Sequence, residues 1–194
     1  MRKAEAAERK EMSVHRLKVP AAAMLTRFTR AAKTSSALDN LVAILRDGVV
    51  RGSTRMVREG RAVVCLFDVP VRDLRLLLDR RNRRRYEPFG IAIDKGYAFR
   101  AGARAVIYMP WCEAENLLAP GERWRVVALE LERKTPIDWS YEREWRMAGD
   151  LALPVGRAVA LVETWRDADE IYDRFQGRPP CAGVIPLREL FGTS

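Results

Sequence analysis

A chain of 194 residues, 48% hydrophobic and 31% charged, can bury a sizeable core in one domain, and no apolar run approaches the roughly 20 residues a membrane span needs. Three scattered cysteines without CxxC spacing argue against a disulfide framework or zinc site, and a lone histidine, His15, argues against a histidine-based triad or metal centre. The net charge of +9, from 35 basic against 26 acidic side chains, is carried mainly by arginine, which suits a polyanionic ligand or nucleic acid and equally an arginine-favouring genome.

Residues 1–20 read as a charged helix or arm, and 21–194 as a single domain of a cytoplasmic protein, because Val19–Leu25 is too short and too interrupted by Pro20 for a signal peptide. The first strand is expected at 21–29. In "SSALDNLVAILRDG", Leu38, Leu41, Val42 and Leu45 share one helical face, with Ser35 or Ser36 as cap and Gly48 as left-handed stop. The apolar run 61–69 predicts a buried strand, and Pro70 opens a helix with Leu74, Leu77 and Leu78 facing inward. Strands follow at 89–93 and 104–110, separated by a small helix capped by Asp94. Further strands are expected at 123–132, within 138–150 and at 157–164. Asp167 is the expected cap of the helix "ADEIYDRFQG", and "CAGVIP" supplies a last strand before a short helix. Helices set between strands early and strands dominating later predict an α+β fold with mixed or antiparallel sheets.

Within "DWSYEREWRMAGD" a strand would sort the side chains by alternation. Tyr141, Arg143, Trp145 and Met147 would face one way, and Ser140, Glu142, Glu144 and Arg146 the other. The two carboxylates would then stand about 6–7 Å apart on one face. Two readings follow: a working carboxylate pair lining a cleft, or a solvated face of cross-strand Glu–Arg pairs. The run "RRNRRR" (Arg80, Arg81, Arg83, Arg84, Arg85) likewise reads either as a solvated helix end meeting the dipole or as a contact to a nucleic-acid backbone or diphosphate. No aromatic residues interleave with it, so base-specific reading is not expected.

Several ordered segments carry a family resemblance: "LTRFT", "NLVAILRDG", "VVCLFDVP", "YEPFGIAIDKGYAF", "RAVIY" and "DWSYEREWR". Over roughly residues 24–150 the chain resembles small bacterial and phage-associated proteins, the AbiGi-like abortive-infection proteins and, distantly, the DarT-like ADP-ribosyltransferase toxins. Arg27 stands where histidine is common in the DarT-like enzymes, Asp68 where glutamate is usual, and Gly52–Thr54 is the nearest counterpart of a serine-threonine-serine strand. The resemblance implies an ADP-ribosyltransferase-like split-sheet architecture, with NAD as cofactor. It implies Glu144 as the carboxylate that stabilises charge on the ribose and Glu142 as the group that orients the acceptor. Arg27 would hold the diphosphate or ribose, and Tyr86 or Phe89 would stack on the nicotinamide. The implied setting is a phage-defence or toxin–antitoxin system with a nucleic acid or protein acceptor and no membrane. Rival expectations are a non-catalytic antitoxin-like or nucleic-acid-binding partner protein with a basic surface, and a metal-dependent nuclease.

Overall fold

The computed structural model describes residues 23–55, 57–78 and 85–191. The charged N-terminal arm, His15, Arg80, Arg81, Arg83 and Arg84 lie outside the described residues. The elements are β1 (Met24–Phe28), α1 (Ala37–Asp47), β2 (Val49–Val50), β3 (Val63–Phe67), β4 (Gly90–Asp94), α2 (Lys95–Arg100), β5 (Arg104–Ala105) and β6 (Ile107–Met109). They continue as α3 (Trp111–Leu117), β7 (Val126–Ala128), β8 (Glu144–Ala148), β9 (Leu151–Ala152), β10 (Ala158–Val162), α4 (Trp165–Arg174), β11 (Val184–Pro186) and α5 (Leu187–Phe191). Among the described residues no helix is long and apolar enough to cross a membrane.

The fold is α+β. Seven strands form one sheet in the order β11-β10-β4-β1-β3-β8-β5, antiparallel except for the β10–β11 pair. Strands β2–β9 and β6–β7 make two small separate ladders. The large sheet has a weak seam. β1 is in register with β4 from Met24↔Asp94 through Phe28↔Gly90, and β3 with β8 from Val63↔Ala148 through Phe67↔Glu144, but β1 and β3 share the single pair Thr26↔Phe67.

Alternation sorts the sheet into two buried faces. Leu25, Leu66, Ile91, Ile93, Ala160 and Val162 meet the inner stripes of α1 and α4. Phe28, Phe67, Ala92, Val159 and Leu161 meet Val71, Leu74 and Leu77 and the start of α5 at Leu187. Each fully buried leucine or isoleucine contributes about 1.5–3 kcal/mol. Helix α1 starts where its chemistry allows. Ser36 accepts from the Asp39 amide while the Asp39 carboxylate accepts from the Ser36 amide, and Gly48 closes the helix at φ 66°.

The structure corrects several expected elements. The stretch after Pro70 is a 3₁₀ segment, Val71–Leu76, whose i, i+3 periodicity suits the buried pair Leu74 and Leu77. Helix α4 is capped by Thr164, and Asp167 is the reciprocal partner at the third helical position, so the helix begins ahead of Asp167. The expected strand 104–110 divides at Val106, with β5 pairing to β8 and β6 to β7. The expected strand 123–132 keeps only Val126–Ala128, because Pro120–Arg125 winds as 3₁₀ to bury Trp124.

Candidate functional site

Residues 138–148 do not form one strand. The Asp138 carboxylate accepts from the Ser140 amide and hydroxyl at 2.8 and 2.6 Å and starts a 3₁₀ turn, Ser140–Glu142. Arg143 follows at φ 46°, ψ 50°, a left-handed conformation uncommon for a residue with a Cβ. Strand β8 begins only at Glu144. Simple alternation across 142–146 is therefore lost, yet both glutamates are buried, Glu142 to 4% and Glu144 to 7% exposure. The solvated-face reading fails for this pair.

The carboxylates have different partners. Glu142 Oε1 accepts from the Tyr86 hydroxyl at 2.5 Å, with Arg85 Nη2 at 3.4 Å. The Tyr86 ring packs against Phe28 and, edge-on, against Phe67 with centroids 5.1 Å apart. Burial pushes the Glu142 carboxyl above its ordinary value, opposed by the Tyr86 hydrogen bond and Arg85. Burial, then the bond to Glu142, pushes the Tyr86 phenol far up, so the proton stays on the tyrosine and is donated. Glu144 lies in a charged cluster with Arg146. Its Oε1 accepts from Arg146 Nε at 2.8 Å, and Arg146 Nη1 donates to the carbonyls of Trp124 and Val126. The Glu144 amide donates to the Tyr108 hydroxyl at 2.8 Å. Burial, followed by the proximity and hydrogen bond of Glu144, pushes the Cys65 thiol up to about 12, and burial likewise pushes Tyr108 up to about 12.

Only part of the expected cradle assembles. Tyr86 joins the glutamates. Arg27 does not: Thr26, Phe67 and Glu144 are in register on one face of the sheet, so Arg27 leaves β1 on the other, beside Leu66 and Ile91. Its Nη1 lies 3.5 Å from the Cys65 carbonyl oxygen, and among the described residues it has no ion pair to either glutamate. Phe89 packs into the core under α1 and α4, away from Tyr86, and its carbonyl holds Thr29. Ser53 of the Gly52–Thr54 segment bridges to Val63, at the opposite end of β3 from Phe67 and Glu144. Asp68 pairs with Lys95 at 2.5 Å, and Lys95 also covers the Trp145 ring. Asn40 serves its helix start, donating to the Arg30 carbonyl.

Of the arginine run, Arg85 is described and belongs to the site. Its guanidinium lies 4.0 Å above the Trp139 ring and 5.3 Å from Tyr86. Among the described residues its buried Nη1 has no hydrogen-bond partner, and neither has the buried Thr26 hydroxyl on the Glu144 face of β1. A hollow of about 660 Å³ has Tyr86, Arg75, Leu187, Arg188 and Phe191 in its wall; of the site residues Tyr86 alone lines it, and Glu142, Glu144 and Arg85 do not. Arg188 is held by Glu163 at 2.6 Å. Sequence reading passed over Tyr108, Cys65 and Trp139. The available signal was Trp139 beside the E-x-E segment and Cys65 on an apolar strand, but nothing in the linear order pairs them with the glutamates. No protein-family model, curated protein or solved structure matches this chain.

Proposed function

We propose that this protein is an ADP-ribosyltransferase-like enzyme of a bacterial or phage conflict system, using NAD and a nucleic acid or protein acceptor. The observation that carries the proposal is Glu142: a buried carboxylate held by the hydroxyl of Tyr86, whose side chain also lines a hollow of ligand size, with the Arg85 guanidinium 3.4 Å away. The near-division of the large sheet between β1 and β3, with Phe67 and Glu144 in register beside it, supports the split-sheet reading.

The side chains present support a dinucleotide: Arg75 and Tyr86 in the wall of the hollow would offer a guanidinium to the diphosphate and an aromatic face, and Arg85, 5.3 Å from the Tyr86 ring, would offer a second cation. NAD, when bound, supplies a nicotinamide–ribose bond that breaks with positive charge gathering on the ribose. Glu142 is the carboxylate that would stabilise that charge in this reading, the electrostatic logic glycosidases use. Tyr86 fixes its orientation, and Arg85 offsets its desolvation. Glu144 acts through Arg146 and Tyr108, holding the start of β8 in place. In this reading Glu142 takes the charge-stabilising role that the resemblance implied for Glu144, Glu144 becomes a structural residue, and Arg85 stands in for Arg27 as the anchoring cation.

A second reading, a non-catalytic partner protein with a basic surface, is favoured by the net charge of +9 and by the ion pair that engages Glu144, the carboxylate the resemblance implied as catalytic. Incubation with adenylate-labelled NAD separates the two. The enzymatic reading predicts nicotinamide release and label on an acceptor, both lost in Glu142→Gln. Absence of both across nucleic-acid and protein acceptors supports the partner-protein reading.

A further inference from the structure

We propose that Arg85 is an anion-responsive cap on Glu142, holding the carboxylate under cover until a diphosphate captures the guanidinium and releases the Ser140–Glu142 turn. The need for such a step comes from the site itself. The Glu142 side chain is only 6% exposed and does not line the hollow, so the carboxylate stands out of a ligand's reach. A group that is to face charge on a ribose has to be uncovered first. The choice of a diphosphate rests on the NAD reading, and the cap itself does not.

Arg85 is the hub that holds the turn down. Its guanidinium lies 4.0 Å above the Trp139 ring, and its Nη2 lies 3.4 Å from Glu142 Oε1. Burial raises the Tyr141 phenol and Arg85 lowers it, so the cation reaches that residue too. Core packing adds little, since Tyr141 is 46% exposed and neither aromatic ring belongs to a hydrophobic cluster among the described residues. Beyond the turn the chain is fixed. The Arg143 carbonyl accepts from the Asp68 amide, and the Glu144 amide donates to the Tyr108 hydroxyl. Arg143, left-handed at φ 46°, is the pivot between the held strand and the turn.

The cap can also yield. A separation of 3.4 Å exceeds the roughly 2.7–2.9 Å of a charge-assisted hydrogen bond, and among the described residues the buried Arg85 Nη1 has no partner. A diphosphate offers two adjacent anionic groups to the guanidinium fork and satisfies Nη1, which Glu142 does not. Once Arg85 turns to the ligand, Glu142 has lost its cation, and the neutral Tyr86 hydroxyl does not replace it. A charge left unpaired in the interior moves to water, and a three-residue 3₁₀ turn without its anchor frays.

Hydrogen–deuterium exchange on the full chain at neutral pH reads the Glu142 and Arg143 amides, which donate to the carbonyls of Trp139 and Ser140. Inorganic pyrophosphate, NAD and, at matched ionic strength, sulfate are compared. Bound ligands ordinarily slow exchange, and the cap predicts the opposite. Pyrophosphate or NAD should speed both amides about fivefold or more, sulfate less than about twofold, and Arg85→Ala should exchange fast without ligand and ignore it. A rise with pyrophosphate but not with NAD keeps the cap and counts against the dinucleotide reading, so the two failures are distinguishable. The native-chain comparison carries the test should Arg85→Ala fail to fold. Slower or unchanged exchange with both diphosphates, an equal rise with sulfate, or native-rate exchange in a folded Arg85→Ala would each overturn the proposal.

Discussion

Glu144 and Arg146 form an ion pair whose side chains are only 8% and 6% exposed. Removing one partner leaves the other charged in the interior, which costs about 3–5 kcal/mol. Arg146→Ala also strips the donor from the carbonyls of Trp124 and Val126. Urea titration should therefore show Arg146→Ala lower in stability by about 3–5 kcal/mol or more, and a loss below about 1 kcal/mol would mean the pair is wetter than the structure shows. Glu142 makes a different prediction. Its carboxyl is raised above 4.5 by burial, so the folded state binds this proton more tightly than the unfolded chain does. Its contribution to stability is present in full below pH 4.5 and is lost as pH rises through the folded-state value. Glu142→Gln has no such proton. The melting temperature of the variant relative to the native chain should climb as pH rises from 4.5 through neutrality, and a constant offset would contradict a raised carboxyl. Both glutamates could be singled out from the sequence, but their partners could not. Tyr86 is 56 positions from Glu142, and no local pattern encodes that contact.

Elements were legible where local chemistry and burial agree. In α1 the inner stripe, the capping box and the left-handed Gly48 all specify one helix with the same bounds. Strands β3, β4 and β10 were legible because continuous apolar runs are what a sheet covered on both faces requires. Strand β8 was misread at its start. The Asp138 turn is a local side-chain-to-backbone feature that alternation overlooks, and left-handed Arg143 is tied by a tertiary contact, the Asp68 amide donating to its carbonyl. The pairing of β1 with β4 has its own weak point. A Cβ added to Gly90 would stand 2.3 Å from the Arg27 carbonyl oxygen, a backbone atom that moves only with its strand. Gly90→Ala is expected to destabilise by about 1–3 kcal/mol, the range for overpacking, read as a lower urea midpoint at unchanged slope. A neutral outcome would show that the two strands can part without loss.

At the scale of the molecule, the single register pair between β1 and β3 leaves two sheet halves meeting near Tyr86 and the glutamates. That seam, like the placement of Arg27 on the far face, depends on strand order, which hydrophobic patterning does not specify. The excess of arginine was visible in the composition, but its use was not until Arg85 was seen stacked on Trp139 and reaching Glu142. The most direct test of the central claim is the rate of nicotinamide release from NAD by the native chain and by Glu142→Gln, with folding checked by thermal melting. The account predicts release by the native chain and a loss of about 100-fold or more in the variant, the scale of removing one preorganised transition-state contact. A folded Glu142→Gln that releases nicotinamide at the native rate, or a native chain that releases none with any acceptor, would contradict it.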